Sequence, residues 1–155
     1  MQLTAREDIE APLDRVFAEL SDFETVERQA LRRGIDVVRL DGVAGKGAGM
    51  QWQAGFTFRG KKRTADITLN TFSPPEQMVF DSVSGGLDVQ MVVDLVALSR
   101  TRTRINLMTE FKPKTLSARL LVQSLKLAKG GMDKRFRTRM AVLAKDLEDR
   151  LQRSA

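Results

Sequence analysis

Residues Thr101–Lys126 read TRTRINLMTEFKPKTLSARLLVQSLK, and the hydrophobic pattern changes its period within this stretch. Up to residue 111, apolar side chains such as Ile105 and Leu107 alternate with polar ones, which is typical of an antiparallel strand with one buried face. Pro113 then ends the strand, and Thr115 is a suitable N-cap for a helix. The stretch therefore predicts a sheet that is followed directly by a C-terminal helix.

The segment after Thr115 has the apolar spacing of one side of a helix. The apolar positions recur in steps of three or four and are interrupted once by Gly130-Gly131; they comprise Leu116, Leu120, Leu121, Leu125 and Ala128, then Met132, Phe136, Met140, Leu143, Leu147 and Leu151. A helix of about 35 residues would be roughly 50 Å long, enough to lie across a sheet. The glycine pair is expected to weaken or bend it.

The alternation of apolar and polar residues extends back from this stretch to residue 35. Six apolar-alternating segments with short turns between them predict a meander, at residues 35–40, 50–59, 63–71, 77–83, 87–98 and 101–111. The first ten residues predict one more strand, and Pro12 and Ser21-Asp22 begin two short helices. We therefore expect an α+β fold: a curved antiparallel sheet of about seven strands against one long C-terminal helix, with two short helices after strand 1. All of residues 1–155 are assigned to a single domain.

Three residue types are missing, because the 155-residue chain has no Cys, no His and no Tyr. This excludes thiolate nucleophiles, Ser-His-Asp triads and Cys- or His-based metal sites. Asp88 and Asp94 share a strand face, but six residues of strand separate them by about 20 Å, too far to act together. The glycine-rich loop 42–49 lacks the following helix of a phosphate-binding loop and is interpreted as a mobile hairpin. We predict no catalytic residue, no metal and no cofactor.

The N-terminal residues offer no apolar leader segment, since charges occur within the first six to ten positions. The longest strongly apolar run, residues 87–98, is interrupted by two Asp and a Gln, so we expect no membrane span. A cytoplasmic location is the resulting expectation.

The net charge of +6 is concentrated at one end of the chain. Residues 112–155 contain 12 Lys/Arg and 4 Asp/Glu, a net of +8, and residues 1–111 have a net of −2. A solvated helix face is the simplest interpretation. A weak contact with an anionic membrane surface or an acidic protein is the alternative. Nucleic acid is not expected, because Phe136 is the one aromatic residue near the cations and it lies on the apolar side of the helix.

The inward-facing side chains of the sheet are mostly apolar. A curved sheet on a single helix can enclose a cavity, although a completely filled core has the same periodicity. The candidate lining residues are Trp52, Phe56, Phe58, Ile67, Leu69, Phe80, Met91, Val93, Leu107, Phe111, Leu121, Leu125 and Ala128. The polar exceptions among the inward positions are Arg63, Ser82, Thr101, Thr103 and Thr109. Loop 42–49, Gly85-Gly86 and Gly130-Gly131 are candidate gates.

Three segments resemble the START-like superfamily of polyketide cyclases and lipid-transport proteins (SRPBCC). They are IEAPLDRVFAELSDFETVE (Ile9–Glu27), GAGMQWQAGFTFRGKKR (Gly47–Arg63) and TRTRINLMTEFKPKTLSARLLVQSLK (Thr101–Lys126). The resemblance covers essentially the full chain and implies a helix-grip fold, in which the sheet wraps around the C-terminal helix.

The resemblance also implies that the protein binds or transports a hydrophobic small molecule, such as a lipid, a polyketide or an isoprenoid. Two alternatives remain open: an enzyme of the polyketide cyclase or dehydrase type, and an interaction or assembly factor that uses the basic C-terminal helix. Cyclases generally use polar residues inside the cavity, whereas the inward positions here are nearly all apolar. Binding without catalysis is therefore the favoured interpretation.

Overall fold

The computed structural model describes residues 1–40 and 45–154, which form seven strands and four helices. Their bounds are β1 (Gln2–Ile9), α1 (Leu13–Leu20), α2 (Phe23–Arg32), β2 (Asp36–Arg39), β3 (Gln51–Phe58), β4 (Lys61–Ser73), β5 (Gln77–Ser84), β6 (Leu87–Ser99), β7 (Arg102–Pro113), α3 (Leu116–Leu127) and α4 (Lys129–Arg153). The predicted hairpin loop 42–49 lies partly outside the described residues, at 42–44.

The seven strands form one antiparallel sheet in the order β1-β7-β6-β5-β4-β3-β2. The meander from β2 to β7 is confirmed, and β1 closes it by pairing with β7. The hairpin between β3 and β4 turns through Arg59 and Gly60, whose φ angles are 52° and 75°. Positive φ at both positions is the geometry of the tight turn that suits the twist of a hairpin. The α+β expectation and the seven strands are thus confirmed.

The two short helices after β1 are confirmed as well. Pro12 lies at the start of α1 in extended conformation. The carboxylate of Asp22 caps α2 by accepting hydrogen bonds from the Thr25 hydroxyl at 2.7 Å and the Thr25 backbone N–H at 3.4 Å. The hydroxyl contact holds the pKa of the Asp22 carboxyl below its ordinary value of 3.8. Gly34, with a φ of 84°, follows the end of α2.

The long C-terminal helix is confirmed, but the helical segment is interrupted at a different place from the predicted glycine pair. The chain forms α3 and α4, and the break falls at Ala128, two residues before Gly130. The glycines lie inside the first turn of α4. The apolar stripe of α3 is also corrected: Ala118 and Val122 are buried, whereas Leu116 and Leu120 face solvent.

The C-terminal half of α4 is anchored to the N-terminal elements. α4 packs against the edge strand β1, and Leu147 and Leu151 are buried in the core. Arg15 of α1 donates to the carbonyl of Leu151 at 2.7 Å, and Glu148 accepts from the backbone N–H of Glu10 at 2.9 Å. These contacts fix the end of the chain over α1 and the start of the sheet.

Candidate ligand-binding site

The strand register places the inward-pointing side chains in rows across the sheet. The first, here called the Thr109 row, runs Leu3, Thr109, Met91, Phe80 and Leu69; the next, the Phe111 row, runs Phe111, Val89, Ser82, Ile67 and Trp52. We call the face of the sheet that carries these rows the inner face. Nearly all of its residues are apolar, as the sequence predicts.

Packing is tight at one end of the inner face, which we call the closed end. Here Ile9, Thr103, Leu95 and Ile105 are buried together with residues of α1, α2 and the end of α4. Ile9 is 1% exposed and Thr103 is fully buried. This end is therefore a filled core, as protein interiors normally are.

The other end of the inner face, here called the open end, is accessible. In the Phe111 row, Phe111, Val89, Ser82 and Ile67 are all partly exposed, although they point toward the helical side. Farther along β3, Phe56 and Phe58 are partly exposed too. Apolar side chains on the inward side of a sheet are normally buried, so their exposure indicates an apolar surface that the helices leave uncovered.

The predicted lining residues divide between these two environments. Three are buried in the packed core, namely Trp52, Leu69 and Val93. Nine are partly exposed on the inner face or on α3: Phe56, Phe58, Ile67, Phe80, Met91, Leu107, Phe111, Leu121 and Leu125. Ala128 is exposed at the junction of α3 and α4. The partly exposed group defines a candidate binding surface, and its role in binding stays a prediction.

Trp52 forms the boundary between the packed and the accessible regions. Its ring lies 5.3 Å from the ring of Phe23 and 6.3 Å from that of Phe80, centroid to centroid. Its indole N–H donates to the carboxylate of Glu27 on α2 at 2.9 Å. Sequence reasoning missed Glu27, because nothing in a linear pattern shows that a helix carboxylate meets an indole 25 residues away. The pair fixes the orientation of the aromatic wall.

Two inward threonines of β7 have different hydrogen-bonding states. The Thr103 hydroxyl donates to the carbonyl of Ala11 at 2.8 Å. The Thr109 hydroxyl is buried and has no hydrogen-bond partner within residues 1–40 and 45–154. Because an unpaired buried polar group costs free energy, the Thr109 hydroxyl is a destabilising group beneath the apolar inner face.

Arg63 and Phe58 lie together at the outer limit of the open end. The Arg63 guanidinium carbon is 5.5 Å from the centroid of the Phe58 ring, and that of Arg59 is 5.4 Å from the same ring. Both distances are in the range of cation–π contacts. A positive charge therefore lies beside the apolar side chains of β3 on the inner face.

A depression of about 660 Å³ lies over β1, β6 and β7, mainly on the outward side of the sheet. Thr4, Arg6, Val92, Asp94 and Met108 line it from outward positions. Its lining also includes Ala5, Glu7 and Leu107 at inward positions and Arg137 of α4. Sequence reasoning missed it, although Val92 and Met108 were a signal, being apolar at outward positions. A smaller depression of about 320 Å³ lies between α2 and β2.

Two findings limit other kinds of site in the described part of the chain. No three acidic residues are grouped there as a metal site would need. No helix among the described residues is long and apolar enough to cross a membrane.

The chain matches a known protein family over nearly its whole length. A family model described as polyketide cyclase / dehydrase and lipid transport matches residues 1–148. No curated protein matches significantly.

Solved structures share the fold at low sequence identity. The protein TTHA0849 from Thermus thermophilus has a TM-score of 0.66 and 21% identity over 100% of this chain and 99% of its own. The Zhui aromatase/cyclase from Streptomyces sp. R1128 has a TM-score of 0.67 and 14% identity, covering 97% and 95%. A START superfamily protein from Mycobacterium smegmatis has a TM-score of 0.57 and 12% identity, covering 86% and 95%. At these identities the likeness shows the helix-grip fold alone.

Proposed function

Because the chain belongs to the polyketide cyclase/dehydrase and lipid-transport family, we propose that it binds a hydrophobic small molecule on the open end of its inner face. The observation that carries the proposal is the partial exposure of Phe111, Val89, Ile67, Phe56 and Phe58 on the side of the sheet that faces the helices. Covering such a surface gains roughly 25 cal/mol per Å² of apolar area before the costs of association are subtracted. A bound ligand would cover the apolar side chains that remain partly exposed in the folded protein.

The proposed ligand contacts come from three elements. The Phe111 row supplies the floor, Phe56 and Phe58 of β3 supply one wall, and Leu121 and Leu125 of α3 supply part of the opposite wall. The contributing side chains of these three elements are nearly all apolar, so a largely apolar ligand matches this surface.

Catalysis would need a titratable group positioned against the ligand. Arg63 and Glu7 occupy inward positions by register, opposite Phe56 and Ile105. Arg63 is engaged with the Phe58 ring, and Glu7 lies toward the closed end. These positions favour a binding role over a cyclase or dehydrase role, since the two residues do not form a pair of acid and base on the accessible surface.

A matched pair of valines on β6 tests the proposal. Val89 points inward beside Phe111, and Val92, three residues along, points outward beside Met108; both are partly exposed. Titration with the neutral fluorescent probe N-phenyl-1-naphthylamine measures the affinity of each variant. We expect Val89→Gln to weaken probe binding about tenfold, because a polar group then replaces apolar contact area. Val92→Gln should bind like the unmodified protein.

The reverse pattern would contradict the proposal. If Val92→Gln lost affinity and Val89→Gln kept it, the outward depression beside Val92 would be the hydrophobic site instead. Absence of saturable probe binding to the unmodified protein would contradict any hydrophobic-ligand role for either face.

A further inference from the structure

Helix α3 exposes three leucines that the fold does not use. Leu116 is 73% exposed, Leu120 is 63% exposed and Leu127 is 92% exposed. With 3.6 residues per turn, the three positions lie within about 40° of one another around the helix axis. The buried residues Ala118 and Val122 occupy the opposite side. α3 therefore has two apolar sides, one against the sheet and one in solvent.

The charged residues nearest to this exposed stripe in the sequence are all positive. Residues 111–132 contain Lys112, Lys114, Arg119, Lys126 and Lys129 and no Asp or Glu. Lys129 is paired with Asp133 at 2.9 Å. Lys112 is at an outward position of β7, opposite Asp88. Lys114, Arg119 and Lys126 form no ion pair within residues 1–40 and 45–154. We call the three leucines and these three cations the α3 surface.

We propose that the α3 surface docks onto an anionic phospholipid bilayer. Leucines would enter the boundary between headgroups and acyl chains, while the cations contact lipid phosphates, as for helices that lie in a membrane interface. The α3 helix is about 18 Å long, which suits an orientation parallel to the bilayer. This inference goes beyond the proposed ligand binding and does not need the ligand to be present.

Charge decides between a bilayer and a second copy of the chain. Two α3 surfaces in contact would bring two sets of like charges together with no acidic residue between positions 111 and 132 to offset them. An anionic bilayer offers complementary charge and apolar depth to the same surface. α3 also packs on β7, which carries Phe111, so a docked α3 would hold the open end of the inner face near the lipid.

Co-sedimentation with vesicles tests the inference. The protein without ligand is mixed with vesicles of phosphatidylcholine alone or with about one phosphatidylglycerol in three lipids, which gives the surface a negative potential. We expect at least about tenfold stronger binding to the anionic vesicles, weakening as salt is raised. The triple variant Leu116→Ser/Leu120→Ser/Leu127→Ser should lose about tenfold in affinity, since apolar insertion is removed while the charge is kept.

Leu31 and Val142 provide the matched control. They are 60% and 53% exposed but lie on α2 and α4, away from the α3 stripe. The variant Leu31→Ser/Val142→Ser should bind anionic vesicles like the unmodified protein. If the triple variant fails to show a cooperative thermal transition, Leu127→Ser alone replaces it, because its side chain makes almost no contact with the fold.

Three outcomes would overturn the inference. Equal binding of the triple variant and the unmodified protein would show that the positive charges, and not the three leucines, bind the protein to the membrane. Equal binding to both vesicle types, or none, would remove the anionic bilayer as the partner. A dimer in analytical ultracentrifugation that the triple variant abolishes would identify a second copy as the occupant. None of these results depends on whether N-phenyl-1-naphthylamine binds the inner face, so the two proposals fail separately.

Discussion

At the scale of single residues, the two buried threonines of β7 differ in whether their hydroxyls are hydrogen-bonded. Thr103 is satisfied by the carbonyl of Ala11 and joins β7 to the end of β1. Thr109 is 6% exposed and its hydroxyl is unpaired within the described ranges. An unsatisfied buried hydroxyl costs about 1–3 kcal/mol.

Replacing each threonine by valine measures the difference directly. We expect Thr109→Val to raise the free energy of unfolding, by about 1 kcal/mol, because the shape is kept and the desolvated hydroxyl is removed. Thr103→Val should lower it by about 1 kcal/mol or more, because the Ala11 carbonyl loses its donor. Urea unfolding followed through the one tryptophan, Trp52, reports both changes. Equal destabilisation by the two substitutions would show that Thr109 has a structural partner.

Sequence reasoning identified both threonines as inward-facing polar residues but could not tell them apart. Periodicity fixes the side of the strand on which a residue lies. It does not show that Ala11, 92 residues from Thr103, brings a free carbonyl to that position. Periodicity likewise places Trp52 on the inner face. It does not show that Phe23 packs against the indole ring or that Glu27 accepts its hydrogen bond.

At the scale of elements, the β5–β6 hairpin contacts the start of α3 through Gly86. Its carbonyl accepts from the backbone N–H of Lys114 at 2.7 Å. A Cβ at this position would collide with the side chain of Thr115, the residue that caps α3 by accepting from the Ala118 N–H at 3.1 Å. The Gly85-Gly86 turn, a candidate gate from the sequence, is therefore held closely against α3.

Two glycine substitutions test this element-scale account with opposite signs. Gly86→Ala should lower the free energy of unfolding by about 1–3 kcal/mol, because the Thr115 side chain must move and α3 loses its cap. Gly130→Ala should raise it by up to about 1 kcal/mol, because Gly130 lies in α4 with no described atom near the new methyl group. Differential scanning calorimetry compares the two. A stable Gly86→Ala variant would show that the hairpin and α3 are free to separate.

Elements were predicted more accurately than their packing. Each strand and the two short helices follow from alternation, Pro12, Asp22 and Gly34, which are local signals. The break at Ala128 has no such signal, and the glycine pair pointed to a position two residues too late. The sequence pattern predicts that Leu116 and Leu120 pack against the sheet, because leucines at helical spacing normally form a buried stripe. In α3 the smaller Ala118 and Val122 take that place.

At the scale of the whole molecule, the helices cover the sheet unevenly. α1, α2 and the end of α4 pack one end of the inner face, where Ile9, Val16 and Leu69 are buried. The other end keeps an apolar surface in contact with solvent. We propose that residues 1–155 act as one domain, with stability concentrated at the closed end and binding at the open end. The sequence predicted the composition of the inner face, whereas its openness depends on how far α3 and α4 reach, which no linear pattern encodes.

The central claim, a hydrophobic site on the inner face, is tested most directly by NMR of the protein labelled at its Val, Leu and Met methyl groups. N-phenyl-1-naphthylamine is titrated in and the shifts are followed along β6 and β7. We expect the largest changes at Val89 and Met91, which point inward and do not line the depression on the other side. Largest changes at Val92 and Met108, which point outward into the depression on the other side, would contradict it.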